Sequence, residues 1–197
     1  MKLKKKPLIF LVALFATVFI GTTFAYFYSV HTYENDFNLA DYNVELKEYF
    51  PKDEWDEDNT LDKRVVISNG GQADVLLRIS YNEMWYREEN GEKEILNNFV
   101  NGNPVVKKNW TVAFTNDFTY KDGWYYYEKT LGTGESVTIL DSIEKLITTI
   151  YTAENEKYQL DFNYEILQAD NHASLRVWGY DSTINEEGDV DWDFLGE

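Results

Sequence analysis

Apolar and polar side chains alternate with a period of two along most of the chain. Tyr42, Val44 and Leu46 alternate with Asn43, Glu45 and Lys47. Val75, Leu77, Ile79 and Tyr81 alternate with Leu76, Arg78 and Ser80, and Trp110, Val112 and Phe114 with Thr111, Ala113 and Thr115. The longest run sets Tyr158, Leu160, Phe162, Tyr164 and Ile166 against Gln159, Asp161, Asn163 and Glu165. Successive side chains of a strand point to opposite faces, so each run predicts a strand with one face buried and one wet.

Turn signals separate these runs. Asn69-Gly70-Gly71 falls between Val65-Val66-Ile67 and Val75-Leu76-Leu77, and Asn90-Gly91 follows Trp85-Tyr86. Asp122-Gly123, between Phe118-Thr119-Tyr120 and Trp124-Tyr125-Tyr126-Tyr127, is a hairpin signal. Gly132 and Gly134 precede Ser136-Val137-Thr138-Ile139. Two stretches read as helix. Ile143, Leu146, Ile147 and Ile150 have i, i+3, i+4, i+7 spacing behind a capping Asp141 or Ser142, and Ala173 to Trp178 ends at Gly179. Many short strands, one or two short helices and frequent turns predict an all-β, jelly-roll-like β-sandwich.

The N-terminus departs from this pattern. Met1-Lys2-Leu3-Lys4-Lys5-Lys6 is followed by an apolar run from Pro7 to Ala25 that ends in Gly21, Thr22, Thr23 and Ala25. A basic region, an apolar run and small residues form the layout of a secretory signal peptide over residues 1–25. The expected cut lies between Ala25 and Tyr26. An uncleaved anchor is the rival, since a bilayer span needs about 20 apolar residues. The small residues at the end and the lack of a basic cluster after it favour cleavage. Membrane contact is then expected only through the signal peptide. The domain itself would run over 39–197, with a separate N-terminal segment at 26–38.

Composition narrows the partners. The chain carries 35 acidic against 18 basic residues, a formal net charge of −17. Four of the lysines belong to the signal peptide, so the exported part is more acidic still. Nucleic acid and anionic membrane surfaces are poor partners for such a surface. There is no cysteine. Export without disulfides fits a Gram-positive route that lacks an oxidative folding compartment.

Candidate chemistry is sparse. With no cysteine, thiol catalysis is excluded. His31 and His172 belong to no zinc-protease pattern, and no G-x-S-x-G is present. The residues therefore predict neither an enzyme nor a cofactor. Asp189-Val190-Asp191-Trp192-Asp193 has alternating carboxylates, but it lacks the glycine and the later glutamate of an EF-hand loop. A solvated acidic tail is the leading reading there, with a weak calcium site on Asp189, Asp191 and Asp193 as the other. The acidic stretch from Lys52 to Asp58 reads as a loop. In the aromatic run, Trp124 and Tyr126 share one strand face and Tyr125 and Tyr127 the other. Core packing and a sugar-stacking platform are the two readings of those rings.

The segment after the expected cut is Tyr26-Phe27-Tyr28-Ser29-Val30-His31-Thr32-Tyr33. Tyr26, Tyr28 and Val30 would share one strand face. An exposed apolar strand is an aggregation hazard unless it pairs. It pairs either with its own sheet or with the sheet of a neighbouring subunit, giving a head-to-tail fibre.

These features resemble the bacterial proteins exported through the dedicated signal peptidase SipW, the TasA and camelysin superfamily. The resemblance begins at Thr23-Phe24-Ala25-Tyr26-Phe27 and continues through Tyr42 to Glu48 and Val65 to Arg78. Asp122 to Tyr127 with Leu131 to Ser136, and Tyr164 to Ala169 with Ala173 and Trp178, are similar to the BsaA-like biofilm matrix branch. The resemblance implies a secreted jelly-roll subunit of an extracellular matrix fibre at the cell surface. It implies polymerisation by N-terminal strand exchange, the donor strand falling on Tyr26, Phe27, Tyr28, Val30, Tyr33 and Phe37. The partners it implies are further copies of the chain, related minor subunits and the signal peptidase SipW. No zinc-ligand set accompanies it, so the metalloprotease activity attributed to camelysin relatives is not carried over. The residues themselves leave one alternative: a monomeric surface module that binds glycans or calcium.

Overall fold

The computed structural model describes residues 42–49, 55 and 59–194. The chain divides into two units, Met1–Leu39 and Ala40–Glu197, and the description concerns the second. The segment from Tyr26 to Phe37 and the expected cut at Ala25 lie outside the described residues.

Antiparallel strands dominate, with two short helices among the described residues. The first five-stranded sheet is built on β11 (Ser136–Lys145). One edge of β11 pairs with β3 (Arg64–Asn69) and further along with β2 (Thr60–Leu61); the other edge pairs with β8 (Val106–Trp110). β1 (Val44–Tyr49) pairs with β3 and forms one border of this sheet. The second sheet is built on β4 (Val75–Glu89). One edge of β4 carries β12 (Glu156–Gln168) in unbroken register. The other carries β10 (Trp124–Tyr127) and β5 (Glu92–Leu96), and β9 (Phe118–Lys121) lies beyond β10.

The alternation read from the sequence decides which sides meet. Val65 and Ile67 of β3, Val75, Leu77, Ile79 and Trp85 of β4, Val137, Ile139 and Ile143 of β11 and Leu160 of β12 form one buried cluster between the two sheets. Each such side chain contributes roughly 1.5–3 kcal/mol when fully buried. The outcome is a sandwich-like, all-β unit.

Three tight hairpins follow from residues that tolerate positive φ. Asp122 (φ 49) and Gly123 (φ 86) join β9 to β10 as a two-residue turn, the geometry that matches strand twist. Asn90-Gly91 joins β4 to β5 in the same way. Asn101-Gly102 joins β6 (Phe99–Val100) to β7 (Asn103–Pro104). Asn69-Gly70-Gly71 makes no hairpin, because β3 and β4 lie in different sheets. Asn69 is buried there and fully used. Its side-chain amide donates to the carbonyls of Ala73 and Leu131 at 2.9 Å each, and its Oδ1 accepts from Gly71 N–H.

Three expectations are corrected. The first concerns Ile143 to Ile150, which is not a helix. β11 continues to Lys145 and residues beyond it turn. Register shifts between Thr138 and Leu140 and between Leu140 and Ser142 let β11 reach β8, and that pairing outweighs a helical spacing of four apolar residues. The second concerns Trp110 to Phe114, which is not one strand. β8 ends at Trp110 and α1 (Val112–Asn116) begins. Thr111 caps α1 by accepting the Phe114 N–H at 3.1 Å, a local bond that competes with the sheet. The turn buries Phe114 against Trp110 and exposes Val112.

The third correction concerns the acidic C-terminal stretch. Val190–Asp193 is strand β14, paired with β13 (Asp181–Ile184), and not a solvated tail. Val190 and Trp192 are buried while Asp191 and Asp193 face solvent. The carboxylates disguise a period-two strand. With α2 (Ala173–Trp178), this hairpin covers the outer face of the second sheet. Leu76, Tyr126, Trp178, Val190 and Trp192 form a second buried cluster there. α2 matches the sequence reading, and Gly179 ends it at φ 81.

Candidate functional site: the sheet edges

Each sheet ends in border strands, and a border strand presents a row of backbone N–H and C=O groups. The two flanks of the sandwich handle this differently.

On one flank β8 and β9 are linked directly through α1. Phe114 fills the gap. Its ring lies 4.5 Å from Trp110, 5.2 Å from Phe118 and 4.9 Å from Tyr125. Lys108 of β8 reaches across to Glu83 of β4 at 2.6 Å, and Glu83 also accepts from Tyr158 at 2.7 Å. Burial, followed by the Glu83 charge, pushes the Tyr158 phenol far above the usual tyrosine range.

On the other flank β1 and β12 border the sandwich, and among the described residues no further strand pairs with either. β12 runs 13 residues without glycine, proline or bulge. Antiparallel pairing turns every second residue's backbone groups away from β4. Glu83, which stands opposite Leu160, offers its carbonyl to Asn98 on the far side of β4, and the Leu160 carbonyl accepts from the Lys63 side chain, so the Leu160 backbone points away from β4. Tyr158, Leu160, Phe162, Tyr164 and Ile166 thus direct their backbone groups outward along this border.

Side chains bridge the flank. Lys63 lies at the break between β2 and β3, with its Nζ 2.5 Å from the Leu160 carbonyl of β12 and 3.2 Å from the Glu48 carboxylate of β1. Burial lowers the Lys63 pKa from its ordinary value, and Glu48 opposes that shift. The Tyr164 hydroxyl donates to the Val44 carbonyl at 2.8 Å, and Tyr42 donates to Gln168 at 3.2 Å. An inward-reaching lysine is a recognised way to blunt a sheet edge.

The aromatic hairpin is consumed by packing. Tyr125 and Tyr127 pack on the inter-sheet cluster, and Trp124 and Tyr126 lie under the C-terminal cover. Arg78 clamps that cover. Its guanidinium lies 4.3 Å from the Trp124 ring and 4.7 Å from Trp178, and it bonds Glu165 at 2.6 Å and the Tyr126 hydroxyl at 3.0 Å. Trp192 Nε1 donates to the Tyr127 carbonyl at 2.9 Å. Trp55, inside the acidic stretch, stacks on Trp85 at 6.4 Å.

The calcium candidates do not converge. Asp189 closes a turn with Asn185, while Asp191 and Asp193 follow on an extended strand, where i and i+2 lie about 7 Å apart. Among the described residues no group of three or more His, Asp or Glu side chains lies close enough to hold a metal ion. Asp189 and Asp191 instead line one side of a groove of about 760 Å³ that also contains Asp117, Glu128, Lys129 and Trp192.

His172 meets Asp181 at 2.8 Å, a pairing the sequence does not signal. This hydrogen bond is the main cause of the lowered Asp181 pKa. The Ser174 hydroxyl donates to Ser182, and Asp181 accepts from the Ser182 N–H, so these contacts tie the start of α2 to β13. Among the described residues no helix is long and apolar enough to cross a membrane. Compared with known proteins, the chain matches no family model, no curated protein and no solved structure.

Proposed function

We propose that this chain is a secreted structural subunit of an extracellular matrix fibre, with a jelly-roll-like sandwich as its body and N-terminal strand exchange as its mode of assembly. One observation carries the reading. The apolar segment from Tyr26 to Tyr33, followed by the polar Glu34-Asn35-Asp36, precedes by about ten residues β1, a border strand on the flank where backbone edges meet no further strand among the described residues. A free apolar strand and an open edge are the two halves of β-augmentation. Signal cleavage after Ala25 releases the strand only outside the cell, so assembly is confined to the matrix. SipW is the proposed peptidase, and further copies or related minor subunits are the proposed partners. The role is structural, not enzymatic.

The binding-module alternative loses its aromatic platform, since the Trp124 to Tyr127 rings are engaged in packing. The test compares residues 26–197 with a chain starting at Asn38 by negative-stain electron microscopy. The longer chain is expected to form fibres and the shorter to stay monomeric. Two monomers, or two equal polymers, would refute strand exchange.

A further inference from the structure

We infer that the outer edge of β12 is the acceptor for the donor strand of a second copy, and that Lys63 occupies the Leu160 carbonyl on that edge in the unassembled subunit. The inference rests on the strand-exchange reading and specifies its docking surface.

Length is the first argument. β12 offers 13 residues in one unbroken register, about 40 Å at the strand rise. β1 offers 6 residues, β5 and β8 offer 5 each and β9 offers 4. The segment Tyr26 to Phe37 is nearly as long as β12 and longer than every one of the others. A partner that fills its own hydrogen-bonding capacity needs an edge of matching length.

Edge chemistry is the second. β12 has no proline or bulge to interrupt its edge, and the device that blunts it is the inward-reaching Lys63, a side chain that can move aside. Its solvent face carries Gln159, Asp161, Asn163 and Glu165, while the inward residues Phe162, Tyr164 and Ile166 remain partly buried beside the flank. An incoming strand that directs Tyr26, Tyr28 and Val30 inward would cover those rings and leave Phe27, Ser29 and His31 on the solvent face. The β8–β9 flank offers no equivalent, because α1 and Phe114 fill it.

Lys63 gives the edge a resting state. Its Nζ holds the Leu160 carbonyl, which a donor N–H would take over. Glu48 at 3.2 Å stands ready to keep the ammonium once it is displaced. The site is therefore satisfied before assembly and after it.

The chain contains no cysteine, so introduced thiols report contacts without background. Ser29→Cys in one full mature chain is mixed with a second chain carrying Gln159→Cys, Asp161→Cys, Asn163→Cys or Glu165→Cys, assembled and oxidised. Lys107→Cys on β8 and Tyr120→Cys on β9 serve as controls. A cross-linked dimer is expected at one or two neighbouring β12 positions, at least about tenfold above both controls, because docking raises the local thiol concentration. Equal cross-linking at the controls, or a preference for them, overturns the β12 assignment while leaving strand exchange standing. Failure of the unsubstituted chain to form fibres overturns both. A second readout is Lys63→Met, which keeps the stem and removes the plug. Its assembly lag is expected to shorten several-fold, and an unchanged or longer lag contradicts the resting-state role.

Discussion

On the β8–β9 flank the chain closes the sandwich by its own continuity; on the β1–β12 flank it does so with side chains. The first closure is apolar and covalently continuous, with Phe114 locked among Trp110, Phe118 and Tyr125. The second adds hydrogen bonds from Lys63, Tyr164 and Tyr42 to partly buried apolar side chains such as Val44, Leu46 and Phe162. Apolar closure releases a large free energy and cannot be exchanged without unfolding. A neutral hydrogen bond of this kind contributes about 0.5–1.5 kcal/mol net, and one from a charged group such as the Lys63 ammonium about 1.5–3 kcal/mol. That is small enough for another strand's N–H and C=O groups to replace it. One flank therefore stabilises the subunit and the other leaves it open to a partner.

Substitutions on the two flanks should separate stability from assembly. Phe114→Ala removes a buried ring and is expected to cost about 3–5 kcal/mol in denaturant unfolding, with no gain in assembly rate. A loss below 1 kcal/mol would mean that this flank is not packed as described. Lys63→Ala should cost about 1–3 kcal/mol, because Glu48 and the Leu160 carbonyl lose a buried partner. Tyr164→Phe keeps the ring and loses one bond to Val44, so about 0.5–1.5 kcal/mol is expected, again by denaturant titration. If Tyr164→Phe proved as harmful as Phe114→Ala, the two flanks would not differ in kind.

The smallest effect is a slope. Tyr158 keeps its proton in the folded chain to well above the usual tyrosine value, chiefly through burial. In the unfolded chain it ionises near pH 10, so above that pH the unfolded state holds fewer protons and stability falls as pH rises. Tyr158→Phe should flatten this alkaline loss in a series of unfolding curves from pH 8 to pH 11. A slope unchanged by the substitution would assign the loss to other groups.

The strands were legible because a half-buried sheet imposes its period on the sequence, as the run from Tyr158 to Ile166 shows. The Asp122-Gly123 hairpin and the Gly179 helix end were legible because few residues accept positive φ. Sequence and fold part where two patterns overlap. Ile143 to Ile150 matches a helix, but pairing of β11 with β2 and β8 decided its start. The stretch from Asp189 to Asp193 looked like a tail because its carboxylates masked Val190 and Trp192, two residues that only a covering role explains. Lys63 carried no signal at all. A lysine between two short strands is ordinary, and its aim at Leu160, nearly a hundred positions away, is a product of the fold.

Amide exchange along β12 tests the account most directly. The outward amides of Phe162, Tyr164 and Ile166 should exchange rapidly in the monomer, while those of Asp161, Asn163 and Glu165, paired with β4, should be slow. In fibres dissolved after labelling, both sets should be slow. Outward amides that remain fast in the fibre, or that are already as slow as their neighbours in the monomer, would contradict an open edge closed by a second copy.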